Sequence, residues 1–335
     1  MTTQHTKSSC CKASVRRYGG RRRQCMKCLR TWRISKHKRG RKAKRRNYKL
    51  IERKILDNQS IRTQKKNYYP NLGEQALYKR SQKCLSAISK KARNYPEFPD
   101  HYILLADGAG YTIKDEEWTL YVFLLKPIHC SCAHVLEPIM IKGKESFSNW
   151  QKALDSIPEH IRKQVIAFVS DNFRASWNIT AHYQWIHQLC HFHLIKELRR
   201  RRGGRKKLSD RSVRESIYHT VRKTLETNDP EQSAALMKEL KSLSQHPQCP
   251  YKFKMVISDF FRTRERFMAY LIHPDLNIPK TNNASESLVN LMREKTKRLN
   301  SAKAVEQWAK ASVRLKQKMI CNGHKSTKLI TRSPT

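Results

Sequence analysis

Acidic residues are scarce in this chain of 335 residues: 27 Asp and Glu stand against 70 Lys and Arg, for a formal net charge of +43. None precedes Glu52. A chain so unbalanced repels itself unless a polyanion neutralises it. Nucleic acid is the leading expected partner and an anionic membrane surface the runner-up. Against a membrane-spanning protein, there is no uninterrupted apolar run of the about 18 residues that a spanning helix needs. Also missing is a hydrophobic stretch behind the polar, basic N-terminus, so no secretory leader is expected. The expected compartment is the cytoplasm, where thiols stay reduced. The 10 cysteines then read as metal ligands or inert thiols rather than disulfides.

Residues 12–46 hold 17 Lys or Arg. Such a run needs a metal staple or a polyanion to order it. The stretch "CCKASVRRYGGRRRQCMKCLRTW" (10–32) supplies a candidate staple, because Cys25 and Cys28 form a C-x-x-C knuckle of the zinc-ribbon type. The first half is irregular. A regular ribbon would place Cys at position 8 to pair with Cys11, where Ser8 stands, and Cys10 is adjacent to Cys11. The expected Zn²⁺ ligands are Cys11, Cys25 and Cys28, with Cys10 or His5 as the fourth. The alternative is an unstructured basic arm that coats phosphates. In either case Arg16, Arg17, Arg21, Arg22, Arg23, Arg39 and Arg41 are the expected phosphate contacts. Arg199, Arg200, Arg201 and Arg202 form a second basic patch.

Helical spacing marks residues 46–56 and 72–92, with a turn at Asn67–Pro70, compatible with a helix-turn-helix unit over 46–94. After the proline-bearing linker "YPEFPD" the texture changes. β-rich runs at 101–107, 117–128 and 134–143 precede an amphipathic helix (146–157). A buried strand (164–172), a short helix (173–183), a fifth strand (185–190) and another helix follow. This order is that of a ribonuclease-H-like mixed sheet. Residues 203–280 read as helices, and two more helices cover 282–299 and 303–320.

Two apolar strands end on acids, Asp107 in "LLADGAGY" and Asp171 in "VSDNFRAS". Were the strands parallel neighbours, both carboxylates would leave the same sheet edge, and two acids so close repel. A divalent cation relieves that conflict, and Mg²⁺ prefers carboxylate oxygen. Glu286, in "TNNASES", is the expected third acid. Asn283 or Ser285 can cap its helix, and it lies opposite the apolar stripe of Ala284, Leu288, Leu291 and Met292.

On these motifs the chain resembles the DDE transposases of bacterial insertion sequences, in the branch related to Mutator-like elements. The match covers about residues 100–320 and is carried by "LLADGAGY", "VSDNFRAS" with "QLCHFHLIKEL", and "TNNASESLVNLMREKTKR". The resemblance implies an α/β, ribonuclease-H-like core over 100–198 and 281–322, split by an all-α insertion at 199–280. A zinc-ribbon-like segment (1–45) and the helical DNA-binding unit (46–94) precede it, and a loose tail (323–335) follows. Asp107, Asp171 and Glu286 would bind two Mg²⁺ ions, for which Mn²⁺ can substitute. Cys190 and His193, the C-x-x-H pair after the fifth strand, would have a supporting role. The implied activity is cleavage of transposon ends and strand transfer into target DNA by a nucleoid-associated homodimer or larger assembly. The alternatives are a transposase-derived DNA-binding protein and a non-transposing nuclease of the same fold.

Overall fold

The structure is a computed structural model that describes residues 7–8, 10–18, 22–33, 51, 53, 59–90, 101–203, 210–297 and 299–321. His5, Arg21, Arg39, Arg41, most of the helix expected over 46–56 and the tail 323–335 lie outside the described residues. The chain divides into two compact units, Met1–Arg53 and Lys54–Thr335.

The first unit contains an antiparallel sheet of β1 (Val15–Arg17), β2 (Arg22–Cys25) and β3 (Thr31–Arg33), in chain order. One tight turn precedes β1 and a second joins β2 to β3. In each, an N–H bonds a carbonyl four residues back: Lys12 to Ser8 and Leu29 to Cys25, both at 3.0 Å. Lys12 and Leu29 both take positive φ, 49° and 54°.

Among the described residues, the first helices of the second unit are α1 (Ile61–Tyr68) and α2 (Glu74–Ser89). The first of these, "IRTQKKNY", has no apolar period and was not expected; Ser60 caps it by accepting the Thr63 N–H at 3.1 Å. α2 buries Leu77, Leu85 and Ile88, and it packs on α12 (Ala302–Leu315), a helix of the same unit.

The unit is mixed α/β, built on a seven-stranded mixed sheet. β4 (Tyr102–Ile113) and β5 (Glu116–Pro127) pair antiparallel over twelve residues. A two-residue turn joins them, Lys114 and Asp115, both at positive φ as a tight hairpin requires. β6 (Cys132–Val135) and β7 (Ile139–Lys142) both pair with β5. The single run expected over 134–143 is therefore two strands, broken where Pro138 interrupts the ladder. On the other side, β8 (Val165–Ser170) and β9 (Ile186–Leu189) add in parallel. β10 (Lys318–Ile320) closes the far edge against β6, so the helix expected over 303–320 ends at Leu315.

Apolar side chains alternate across β4, as a sheet covered on both faces demands. Tyr102, Leu104 and Ala106 join Phe123, Trp150 and Phe168 on one face, beside α3 (Phe147–Asp155) and α5 (Arg174–Tyr183), with the short α4 (Glu159–Arg162) between those two helices in sequence. Ile103 and Leu105 join the opposite core with Ile217, Phe253, Phe260, Leu288 and Met292. These come from α7 (Arg211–Glu226), α9 (Tyr251–Phe267) and α11 (Asn283–Thr296). α6 (His191–Arg201) leads from β9 into this layer. α8 (Pro230–Gln245) and the short α10 (Ala269–Ile272) complete it. Among the described residues, no helix is long and apolar enough to cross a membrane.

Candidate active site

Asp107 lies in the middle of β4, not at its end as the sequence suggested. The parallel ladder with β8 stops at Leu105↔Val169, while the β5 ladder runs on to Ile113. Asp107 thus stands where one of its two neighbouring strands departs. Asp171 follows directly on β8. The first two acids therefore leave the same rim of the sheet, on adjacent parallel strands.

Glu286 lies 115 residues further on and is brought to this rim by backbone contacts. The Cys190 N–H donates to Ser170 O at 2.8 Å, and the His191 N–H donates to Lys280 O at 3.0 Å. Asn282, 1% exposed, bridges the segments. Its N–H meets Cys190 Sγ at 3.1 Å, and its Nδ2 donates to Ala106 O, the carbonyl just before Asp107. Neither Asn283 nor Ser285 caps α11. Asn282 holds the N-cap position, but its side chain is spent on Ala106, and the Ser285 hydroxyl turns back to Asn282. Glu286 sits in the first turn, 21% exposed, with Lys196 Nζ at 3.6 Å.

Electrostatics show that the acids share one environment. Burial first, then the Asp171 charge, push the Asp107 carboxyl up to about 7, and Glu286 and Glu145 add to the shift. Burial raises Asp171 too, against a lowering by His193. Among the described residues, no ion pair engages Asp107 or Asp171. The repulsion among these carboxylates is offset in part by His193 and Lys196, and oxygen donors of this kind are those that a hard cation takes. Their oxygens are not gathered as for a single ion, however. Among the described residues, only Cys10, Cys11, Cys25 and Cys28 form a group of three or more metal-ligating side chains within 4.8 Å of one another.

Glu145 is a fourth acid that the sequence did not reveal. Its only local signal is its place between Gly143 and the Ser146 cap of α3. It reaches the rim from the opposite face, over Gly108, where a Cβ would stand 2.7 Å from its Oε1. Trp150 Nε1 donates to the same oxygen at 2.9 Å. Burial and then Asp171 raise its carboxyl.

Cys190 and His193 lie beside the acids without forming a metal site. Cys190 is buried, and desolvation above all pushes its thiol up to about 11, so it stays neutral. His187 and His191, the neighbouring histidines, are engaged elsewhere. His187 Nε2 is 3.1 Å from Ser170 Oγ, and His191 Nε2 donates to Phe267 O at 2.7 Å. Among the described residues, His193 Nδ1 is buried without a hydrogen-bond partner, and His193 lines, with Asp171, a cavity of ≈ 300 Å³. A larger groove of ≈ 1130 Å³ between α8 and α9 contains none of the four acids.

The basic patch at 199–202 is largely engaged within the chain. Arg200 and Arg201 both bind Glu197, at 2.8 and 2.5 Å, and Arg202 binds Glu215 at 3.1 Å while stacking over Tyr218. The Arg200 hydrogen bond, chiefly, holds Glu197 down at about 2. Surface pairs of this kind contribute about 0–1 kcal/mol, so a phosphate can displace them. In the first unit, Arg17 stands opposite Arg23 across β1–β2, and Arg16 Nε donates to Gln24 Oε1 at 2.9 Å. Like charges in register destabilise a sheet unless an anion covers them; Arg22 is exposed on the same strand as Arg23.

The four cysteines of that unit offer ligand atoms close enough to bind one metal ion. Cys10 completes the set, with Cys10 Sγ 3.5 Å from Cys28 Sγ. Adjacent cysteines thus both reach the site, because the turn at 10–11 brings them round. Hydrogen bonding to Cys28 leads the effects that push the Cys11 thiol up to about 12, and a bond with Ser8 leads those that pull Cys25 down to about 6. Four thiols so close cannot all ionise without a cation.

No protein-family model matches the chain, and no curated protein matches it.

Proposed function

We propose that the chain is a metal-dependent DNA transposase with a ribonuclease-H-like core and a helical insertion, in which Asp107, Asp171 and Glu286 are the catalytic acids. One observation carries this reading. Acids far apart in the chain meet at one rim of a mixed sheet, and their shared burial raises Asp107 to about 7. Two Mg²⁺ ions, when bound, would activate water or a 3′-hydroxyl and stabilise the leaving oxygen at a phosphodiester, so cleavage and strand transfer need no covalent enzyme intermediate. Asp107, Asp171 and Glu286 would hold them, and Mn²⁺ would substitute. With its carboxyl raised to about 7, Asp107 is divided between acid and carboxylate forms near neutrality, and a bound cation would displace the remaining proton. Asn282 holds the Glu286 helix and the Asp107 strand in fixed register. The basic first unit and the α1–α2 pair would bind the transposon ends through phosphate contacts, with Zn²⁺ on the four cysteines as a staple. A homodimer or larger assembly on DNA would bring two ends together.

A second reading has one observation in its favour. The carboxylate oxygens do not converge within the spacing of a single ion, as the cysteines do. A transposase-derived DNA-binding protein without catalysis would need no such convergence. Incubation with Mg²⁺ and plasmid carrying the element's own ends separates the two. The expected result is nicking by the wild type and at least roughly hundredfold slower nicking by Asp171→Ala. Equal rates for the two proteins would remove Asp171 from the chemistry. DNA binding without nicking by the wild type would favour the second reading.

A further inference from the structure

The two residues that flank Asp171 are both tied to one guanidinium. Arg266, near the end of α9, lies with its Cζ 3.7 Å from the centroid of the Trp177 ring, and its Nη1 is 2.9 Å from His187 Nδ1. A guanidinium only donates, so Nδ1 must accept and the ring proton must sit on Nε2. His187 Nε2 is 3.1 Å from Ser170 Oγ, and the Ser170 hydroxyl donates to Asp171 O at 3.0 Å. Every donor in the chain Arg266, His187, Ser170, Asp171 is thereby determined. The second branch runs through the stacked indole, for Trp177 Nε1 donates to Asn172 Oδ1 at 3.1 Å. Ser170 and His187 are 0% and 6% exposed, so water does not compete for the bond between them, whereas the Trp177–Asn172 bond lies at the surface. Burial first, then Arg266, push His187 down to about 3, which keeps the imidazole neutral and its tautomer single.

We propose that Arg266 is a positioning residue for Asp171, clamping Ser170 through His187 and Asn172 through Trp177. The helical layer thereby sets the direction of an acid that it does not itself carry. Arg266 touches neither the acids nor, on the proposed chemistry, the substrate. The catalytic meaning of the clamp rests on the proposed function; the clamp itself does not.

The test uses the full chain labelled with ¹⁵N-histidine and compares wild type, Arg266→Lys and Arg266→Met. Three quantities are read: the His187 ring ¹⁵N shifts, amide hydrogen exchange at 170–173, and nicking of supercoiled plasmid in Mn²⁺. The wild type should show the single Nε2–H tautomer. Arg266→Met should show mixed tautomers and faster exchange at Asp171 and Asn172, with an unchanged melting temperature. Its kcat for nicking should fall roughly 10–100-fold with KM unchanged, the range for loss of an outer-sphere support. Arg266→Lys should lie between the two. Unchanged exchange at 171–172 in Arg266→Met overturns the clamp, and so does faster exchange with undiminished nicking. Should the wild type not nick at all, the proposed function fails, while the tautomer and exchange data still decide whether Arg266 holds this segment. Trp177→Phe, which keeps the ring but removes the donor to Asn172, replaces Arg266→Met if that variant does not fold. Unaltered exchange at Asn172 in Trp177→Phe again overturns the proposal.

Discussion

A carboxylate such as Asp107 is expensive where it stands, and the expense has a measurable sign. Its folded pKa is about 7, raised first by burial and then by Asp171, against about 3.9 for an unfolded chain. Below about pH 4 both states hold the proton and the charge costs nothing. Between about 4 and 7 the folded chain keeps a proton that the unfolded chain has lost, so stability falls as pH rises. Above about pH 7 the full cost, on the order of 4 kcal/mol, is in place. Urea denaturation at pH 5 and pH 8 in EDTA should therefore show the wild type losing several kcal/mol that Asp107→Asn keeps. Added Mn²⁺ should restore the wild type at pH 8 and leave Asp107→Asn unchanged. Equal pH slopes for the two proteins would mean that the carboxylate is better solvated than its surroundings indicate. The same residue shows what a short motif conveys. "LLAD" announces a buried strand meeting an acid, and Asp107 is indeed held in β4 beside buried Leu104 and Leu105. That the strand continues past it depends on β5, a partner that the local pattern does not name.

At the scale of elements, the two cysteine turns repeat one geometry. Ser8 accepts from Lys12 as Cys25 accepts from Leu29, and each turn ends on a residue at positive φ. Ser8 thus occupies the place of Cys25, and Cys11 the place of Cys28. Cys10 supplies the fourth sulfur from a neighbouring position, while Ser8 Oγ rests 3.2 Å from Cys25 Sγ. If the group holds zinc, purified protein should carry about one Zn²⁺ per chain. Cys28→Ser should lose it readily to a chromophoric chelator, and Cys10→Ser should weaken it. Adding Ser8→Cys to Cys10→Ser should restore slow release, because position 8 is already aimed at the site. A double variant no better than Cys10→Ser would refute the equivalence of the two turns. Much of this level was readable in advance. Periodicity located β4, β5, β8, β9 and α11, since each carries a continuous buried run or stripe, such as "VIAFVS" in β8. Elements defined by partners rather than by pattern were not readable. α1 is polar on every side and exists through its cap and its packing on α2. β10 is three residues that, among the described residues, pair with β6 alone. Glu145 escaped for the same reason, because its contacts with Gly108 and Trp150 come from the fold and not from a motif.

At the scale of the whole molecule, the net charge of +43 is the dominant fact. Part of it is neutralised within the fold, as at Glu197 with Arg200 and Arg201. The rest has too few acids to meet. A polyanion that covers it releases condensed counterions, and the logarithm of affinity then falls against the logarithm of salt with a slope of about −0.9 per phosphate neutralised. A chain making 6–10 such contacts should lose roughly 10³–10⁵ in affinity for a random duplex between 50 and 200 mM salt. Fluorescence anisotropy across a salt series measures the slope directly. Replacing Arg16, Arg17, Arg22 and Arg23 together by Gln should reduce it by about 3–4 if each contacts one phosphate. The same replacement also removes the opposed Arg17–Arg23 pair, so the free variant should be no less stable than the wild type. Weaker binding with an unchanged slope would mean that these arginines shape the sheet rather than meet phosphate. A wild-type slope shallower than about −2 would mean that duplex DNA is not the polyanion this charge is built to hold.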